Sequence, residues 1–564
     1  MKNINYLYLT ILLILGLTSC KKEQDLFEEK LLTGTEYIEV SSKSEVYSFE
    51  VLSNQTIHME ADVDWIQLDS LSYEKGKRKV GFKVVKNEDD ERSGIIVVKV
   101  NDELTKQVLI IQESGKVPVF FVTVDGTGDG KSWSSPTNLN TAIDQSTTNS
   151  IIYLTEGVYK PSKTIRNGDA SEEADKTFEI SKNISLIGGF EKDARPGAKA
   201  DARIYKTILD GKMSSGKEAF HTVTITAPFD AESKVYLEGL IITGGHATDR
   251  STNTTINGIK YSRGQGGGML IANAIVHLKN VEILANKASA DKGTAGFGAG
   301  VYAFSGAKLL MEDVKINNNI NSANNGGGIW INGASMIAFR SQFNNNSAKG
   351  TAGGIHGYPD ASITLYNSEV LNNSNTSYGA GVYMRDNSDL IMINTLVSGN
   401  TSTSVNGGGG VMLYDASNAH IISSTITGNN VVGPGAGIYR RSKANNLTIY
   451  NSIITGNKQM STSTDVDAYS DNVAVIPVIK NTVITSSVYG DAGTILSGQI
   501  FSPSTMLSPS YLPIGTNNPA LIYGIEATQL LEIANMYNPI LDKAIASDKN
   551  EESRTSKVMG FKVK

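Results

Sequence analysis

Residues 326–346 read GGGIWINGASMIAFRSQFNNN, and this stretch is one copy of a unit that repeats along the chain. Each copy opens with a glycine before an aliphatic residue or Met. It closes with an aliphatic residue or Phe, two further residues and an Asn. A period of this size predicts stacked units, none of which can bury its apolar side alone. The closing residues, spaced 33, 27, 27, 27, 29 and 28 positions apart, are Asn286, Asn319, Asn346, Asn373, Asn400, Asn429 and Asn457.

Inside each unit the apolar residues alternate, as in Val276, Leu278, Val281 and Ile283, and such alternation indicates strands. Three short strands and three turns per unit predict one coil of a parallel β-helix, with neighbouring coils about 4.8 Å apart. An Asn at one position of every coil predicts a ladder of side-chain amides along the axis. A β-propeller and a sandwich are less favoured, because blades need more residues and a sandwich keeps no fixed period. The fold class is therefore all-β.

Length and composition limit the function classes. The 564 residues suffice for two or three domains, and 55 glycines with only 13 prolines suit strands and turns. The net charge is -6 and the sequence pI is about 5.7. No strongly basic stretch accompanies an aromatic platform, so nothing in the sequence suggests a nucleic-acid partner.

Residues 1–20 have the pattern of a secretory signal peptide, with an apolar run (Tyr6–Leu17) ahead of Leu17-Thr18-Ser19-Cys20. This end resembles a bacterial lipoprotein box; a transmembrane anchor is the alternative, but the run is short for one. Cys20 is the only cysteine, so we expect it to be lipidated. The charged start of the linker at 21–34 resembles the surface-export signal of Bacteroidota lipoproteins, and a plain solvated linker is the alternative. We therefore expect an outer-membrane, lipid-anchored protein that faces the exterior.

Residues 35–115 are more charged and lack the glycine clusters. Their short alternating segments predict a small immunoglobulin-like β-sandwich. Asp64-Trp65 and the segment Val108–Gly115 resemble the Bacteroidetes-associated carbohydrate-binding often N-terminal (BACON) domain. Many such domains act as spacers, and Trp65 fits a core position better than a sugar platform.

Residues 119–564 form the second predicted domain. Val124–Trp133 precede a predicted helix from Leu139 to Asp144, and Gly188-Gly189-Phe190 and Leu237–Gly245 follow. This order resembles the start of bacterial surface proteins of the pectate-lyase-like superfamily. The resemblance implies a right-handed parallel β-helix whose open N-terminal end is capped by the helix. It implies little about activity, because that superfamily holds lyases, hydrolases, adhesins and spacers.

Candidate ligand-binding residues follow from strand alternation. The residue after each glycine is aliphatic or Met and should point inward, so the next should point outward. Rings in such a column suit the faces of sugars, and arginines can pair with carboxylates. The rings could instead stack on each other or lie under the loop from His246 to Gln265. The candidate binding residues are Tyr302, Trp330, His356, Tyr358, Tyr383, Arg385, Tyr414 and Tyr439.

A catalytic interpretation is the weaker one. Asp386 and Asp415 hold equivalent places in adjacent coils and could form a glycosidase carboxylate pair, whereas His356, Tyr358 and Arg385 could serve a lyase. The motifs of polygalacturonases do not occur together, and the aspartates fit turn positions. Asp125–Gly130 has the acids and glycines of a calcium loop but lacks its later Glu, so a turn is favoured and no cofactor is expected.

Three functions stay open at this point. The favoured one is a surface-anchored protein that binds a polysaccharide or other glycan, or acts as an adhesin, and that works as a monomer. The second is a polysaccharide lyase or glycoside hydrolase acting in the same groove. The third is a structural spacer without a ligand.

Overall fold

The computed structural model describes residues 30–489 except 90–91, 114, 232, 292–295, 442–445, 472–474, 476, 481 and 485. The predicted signal peptide with Cys20, most of the predicted linker, and the part of the predicted second domain beyond residue 489 lie outside the described residues. The chain divides into two compact units on either side of the Val117–Pro118 bond.

The N-terminal unit is the predicted small β-sandwich. Alternate residues of its long strands point into one core, which includes Phe49, Phe82, Ile96 and Ile110. Its sheets are antiparallel apart from one parallel pair at an edge. In spatial order the four-stranded sheet contains Leu31–Thr33, Val46–Ser53, Gly76–Val84 and Ile66–Leu68, and the five-stranded sheet contains Tyr37–Val40, Thr105–Gln112, Arg92–Lys99, Ile57–Ala61 and Ser72–Tyr73.

The second unit is a parallel β-helix, as predicted, and it has three long sheets. Sheet I has 12 strands and sheets II and III have 11 each. Sheet I contains Val119–Val122, Ile151–Thr155, Ser185–Phe190, Val235–Glu238, Ile275–Lys279, Lys308–Glu312, Ser335–Phe339, Ser362–Tyr366, Asp389–Ile393, Asn418–Ile422, Leu447–Tyr450 and Val478–Lys480. Sheet II contains Gly157–Tyr159, Thr207–Asp210, Leu240–Thr243, Glu282–Leu284, Lys315–Asn317, Gln342–Asn344, Glu369–Leu371, Leu396–Ser398, Thr425–Thr427, Ile453–Thr455 and Val483–Ile484. Sheet III contains Phe178–Ile180, Val223–Ile225, Met269–Ala272, Val301–Phe304, Ile329–Asn332, Ile355–Gly357, Val382–Arg385, Val411–Tyr414, Ile438–Arg441, Ala468–Ser470 and Ser487–Tyr489.

The coil differs from the prediction in one respect, because it has a fourth short strand. After each ladder Asn from Asn286 to Asn429, two residues pair with the next coil before the glycine turn begins. The period alone did not reveal this strand, since two residues are too few for an alternating pattern. The nine strands of this short sheet are His246–Ala247, Lys287–Ala288, Ile320–Asn321, Ser347–Ala348, Ser374–Asn375, Thr401–Ser402, Asn430–Val431, Lys458–Gln459 and Thr464–Asp465.

Three smaller elements complete the unit. The predicted helix is present as Leu139–Gln145, where the Asn138 side chain accepts a hydrogen bond from the Thr141 N–H and Leu139 packs into the solenoid core. A 3-10 turn spans Glu173–Asp175. Between two coils the chain leaves the solenoid to form the antiparallel hairpin Asn253–Ile256 and Ile259–Ser262.

The coils stack in register, as the predicted Asn ladder requires. Ile329, Ile355 and Val382 are direct partners in sheet III and are fully buried in the solenoid core. The predicted Asn ladder is also present: each side-chain amide donates to the carboxamide oxygen of the next, for example Asn346 Nδ2 to Asn373 Oδ1 at 3.1 Å. The residue after each inward aliphatic residue faces the other side of sheet III, and this side carries the candidate site.

Candidate functional site

The first outward column of sheet III is a buried layer in which neighbouring rings contact each other. Trp330, His356 and Tyr383 are consecutive partners in the sheet. The rings of Trp330 and His356 stack with centroids 4.1 Å apart, and His356 contacts Tyr383 at 5.1 Å. The column, which we call the buried column, is Leu270, Tyr302, Trp330, His356, Tyr383, Met412 and Tyr439, and each member is at most 4% exposed.

The hairpin Asn253–Ser262 accounts for part of this burial. Ile256 and Tyr261 pack into one cluster with Tyr302 and Trp330. The Phe297 ring meets Trp330 edge-on at 4.7 Å. The alternative that these rings lie under the loop from His246 to Gln265 therefore holds for this end of the column.

Burial also sets the chemistry of His356. The Nδ1 atom of His356 lies 3.4 Å from Thr351 Oγ1, and the residue is only 3% exposed. Desolvation, with a smaller contribution from the Arg385 charge, lowers the pKa of His356 to about 3. The imidazole is therefore neutral at physiological pH and enclosed, which does not suit a general acid or base in contact with a polymer.

The second outward column is half-buried and alternates tyrosine with arginine. Tyr358, Arg385, Tyr414 and Arg441 come from consecutive coils. The Arg385 guanidinium carbon lies 5.2 Å from the Tyr358 ring centre and 5.3 Å from that of Tyr414. The Arg441 carbon lies 5.5 Å from Tyr414 and 5.0 Å from Tyr378. We call these five residues the arginine–tyrosine ridge; its cation–π contacts hold the guanidinium planes in place.

Two carboxylates balance one of the arginines. An oxygen of Asp386 and an oxygen of Asp415 each lie 3.6 Å from Arg385 Nε. Both aspartates have positive φ, 49° and 41°, so they hold the left-handed turn positions after their strands. Each aspartate therefore lies beside the Arg385 guanidinium at the end of its own strand.

The charge of Arg441 has no carboxylate partner within 4.0 Å in the part of the chain that the structure describes. Its contacts are instead tyrosine rings and the carbonyl oxygen of Asn406, to which Nη1 donates at 3.4 Å. One cation on the ridge is therefore available to an external anion.

Tyr378 is the ridge residue that the sequence pattern missed. Its ring stacks on Tyr383 and on Tyr414, with interplanar angles of 16° and 26°. It precedes Gly379 in the loop that leads into sheet III, where the repeat keeps no common residue, so alternation gave no signal. The one sequence signal for Tyr378 is its position directly before the glycine turn Gly379-Ala380-Gly381.

The calcium-like stretch Asp125–Gly130 forms a turn. Asp129 accepts a hydrogen bond from the Lys131 N–H, which lowers the pKa of its carboxyl. A side chain at Gly126 or Gly128 would collide with the backbone of Thr137 or Ser135. Within the described residues, no group of three or more His, Cys, Asp or Glu side chains is placed to hold a metal ion. Likewise, none of the described helices has the length and apolar character needed to span a bilayer.

Comparison with known proteins supports the fold. Residues 340–483 match a family model described as "Right handed beta helix region". No curated protein matches the chain.

Three solved structures show distant likeness. A pectate lyase, Pel9A, has a TM-score of 0.34 at 13% identity, over 78% of this chain and 88% of that chain. XylC in complex with xylose has a TM-score of 0.28 at 9% identity, over 78% and 98%. A GH5 xyloglucanase from Bacteroides ovatus, in complex with a XXXG heptasaccharide, has a TM-score of 0.16 at 13% identity, over 28% and 45%, so the chain spans less than half of that protein.

Proposed function

We propose that the protein is a lipid-anchored outer-membrane β-helix that binds a polysaccharide along the arginine–tyrosine ridge. The carrying observation is the alternation of ring and guanidinium over consecutive coils, with each side chain half-buried. Half-buried rings offer apolar faces at fixed spacing, and their hydroxyls offer hydrogen bonds. A linear polymer of repeating units matches a surface on which tyrosine and arginine each recur every two coils, about 9.6 Å apart.

The anchoring half of the proposal depends on the N-terminal sequence. The apolar run that ends in Cys20 supports lipidation, and the charged residues that follow support export to the exterior. A surface anchor would place the ridge where extracellular glycans are found.

Binding by the full chain to soluble polysaccharides, both neutral and acidic, tests the ridge. The double variant Tyr378→Ala/Tyr414→Ala removes the rings against which Arg441 lies. We expect its affinity to fall at least about tenfold, the factor that corresponds to about 1.4 kcal/mol. The control is Tyr450→Ala, a half-buried tyrosine on sheet I, which should bind as the parent chain does.

Several outcomes would contradict the proposal. Unchanged affinity in the double variant, with an unchanged melting temperature, would remove the ridge as the site. Absence of binding to every polymer would favour the spacer. Release of reducing ends or unsaturated products, abolished by Asp386→Asn with Asp415→Asn, would establish the enzymatic alternative instead.

Arg441 decides the class of glycan. Because Arg441 has no carboxylate partner among the described residues and Arg385 has two, a uronate would pair with Arg441. Arg441→Gln should therefore weaken binding of acidic polymers and leave that of neutral polymers unchanged.

A further inference from the structure

A separate cavity lies beside the first strands of sheet III, away from the ridge. Its volume is about 290 Å³, and it is enclosed between the segment 163–177 and the hairpin Asn253–Ser262. The volume is at the lower edge of the range for small-molecule sites, about 300–1,000 Å³, and suits a single ring. Ile165 and Tyr261, both at most 5% exposed, supply apolar walls.

The two strongest charges in this cavity neutralise each other. Arg263 Nε and Nη2 donate to the two carboxylate oxygens of Asp175 at 2.9 and 2.6 Å. Asp175 Oδ2 also accepts from the Asp169 N–H at 2.8 Å. This fork is a paired, largely buried unit, so it gives an anion little net attraction. The remaining charge is the exposed carboxylate of Asp169 at the rim, which adds acceptors and disfavours an anionic ligand.

His221 supplies an acceptor inside the cavity. Its Nδ1 lies 3.0 Å from the Gly266 carbonyl oxygen, which can only accept, so Nδ1 carries the proton and Nε2 has the lone pair. Burial lowers the pKa of His221 to about 4, so this tautomer is present at neutral pH. The residue is 6% exposed, and Nε2 has no hydrogen-bond partner in the described part of the chain. Because His221 lines the cavity, this nitrogen can accept from a donor that enters it, and a hydroxyl group is the simplest one.

We propose that this cavity binds one neutral sugar ring, with a ring hydroxyl donating to His221 Nε2 and the ring held between the walls to which Ile165 and Tyr261 contribute. The ring has the size of the cavity, it brings several donors to a site with excess acceptors, and it has no charge to disturb the Arg263–Asp175 fork. The site is independent of the polysaccharide surface proposed for the ridge, since the two share no residue.

Ligand-observed NMR titration of the full chain tests the proposal. The neutral sugars are glucose, galactose, mannose and xylose, and the charged sugars titrated in parallel are glucuronate and glucosamine. We expect at least one neutral sugar to bind saturably and more tightly than either charged sugar. His221→Asn keeps an N–H donor at the place of Nδ1 but removes the acceptor at Nε2. It should weaken binding about 2- to 10-fold. His221→Gln can place its amide oxygen near Nε2 and should retain binding.

The ridge variant Tyr378→Ala/Tyr414→Ala separates the two proposals, because it should leave monosaccharide binding unchanged. Failure of the ridge to bind polymers therefore does not affect the cavity. The cavity proposal is overturned by any of three results: no neutral sugar approaches saturation, His221→Asn binds as tightly as the parent chain, or glucuronate binds as well as the neutral sugars. The first result would leave water as the occupant of the cavity.

Discussion

At the scale of single residues, strand alternation determines direction but not exposure. His356 and Tyr383 point away from the solenoid core, as the pattern requires, yet both are at most 3% exposed. Neighbouring rings of the column and the loops before sheet III cover them, and Tyr378 is one of these covering residues. A side chain that points outward from a β-helix can therefore still belong to a second packed layer, with its own apolar stabilisation.

His356 should make the stability of the protein sensitive to acid. Its folded pKa is about 3 and its unfolded value is about 6.5, so below pH 6.5 the unfolded chain binds a proton that the folded chain does not. Stability is therefore lost as pH falls from about 6.5 towards 3, by about 2 kcal/mol at pH 5. Urea unfolding at pH 7 and pH 5 measures this loss.

His356→Gln should reduce that pH dependence, since the side chain no longer titrates. Only the difference between the two pH values is compared, because removing the ring from its stack on Trp330 also lowers stability at both. His58→Gln, on an exposed position of the sandwich, controls for loss of an imidazole. An equal pH difference in His356→Gln and the parent chain would show that His356 is protonated more easily than its burial implies.

At the scale of elements, the Asn ladder and the glycine clusters depend on each other. Asn346 Nδ2 donates to Asn373 Oδ1, and both residues are fully buried. A Cβ at Gly328 would lie 2.5 Å from the Gly354 carbonyl oxygen and 3.0 Å from Asn346 Nδ2. The glycine is thus required mainly because the backbone of the next coil passes beside it, and the ladder amide on the other side adds a second close contact. At the last rung Asp467 replaces Asn and accepts from Asn457 Nδ2 at 2.8 Å.

Removal of one rung should destabilise the solenoid strongly. Asn373 accepts from Asn346 and donates to Asn400 Oδ1 at 2.9 Å and to the Phe343 carbonyl oxygen at 2.7 Å. Asn373→Ala leaves these buried groups unsatisfied, at about 1–3 kcal/mol for each group. The midpoint of urea unfolding should therefore fall well below that of Asn406→Ala, a control at an exposed asparagine. Equal midpoints in the two variants would show that the ladder does not contribute to stability.

The same elements show what the sequence could and could not predict. The ladder and the inward positions repeat in every coil, so one sequence suffices to place Asn346 or Ile329. The short fourth strand has too few residues for a pattern. The cover over the buried column comes from an insertion, Asn253–Ser262, that occurs once, and its packing depends on long-range contacts that no local period encodes. Strand alternation suffices to select Arg385 and Tyr414 of the ridge. It does not select Tyr378, because that residue lies in a loop that does not repeat.

At the scale of the whole molecule, each of the two units has its own main apolar core within the described residues. The sandwich core includes Phe82 and Ile96, and the solenoid core runs along the three long sheets. A β-helix is stabilised by contacts between neighbouring coils, so its stability is close to a sum along the axis. Damage to the sandwich core should therefore leave the coils, and with them the ridge, intact.

Phe82→Asp tests this independence together with the location of the glycan site. A carboxylate in place of a ring that is 1% exposed should unfold the N-terminal unit, because a buried unpaired charge costs several kcal/mol. Trp65 packs against the sandwich core, and the Arg92 guanidinium carbon lies 4.6 Å from its ring centre. In the full-length Phe82→Asp variant, Trp65 should become accessible to acrylamide, which quenches its fluorescence. Polysaccharide affinity should stay within about twofold of the parent chain, because the ridge lies wholly in the solenoid. Glu50→Gln, on an exposed position of the neighbouring sandwich strand, is the control. The emission of Trp330 reports whether the solenoid is still folded. If Phe82→Asp loses binding while that emission is unchanged, the glycan site lies in the sandwich instead.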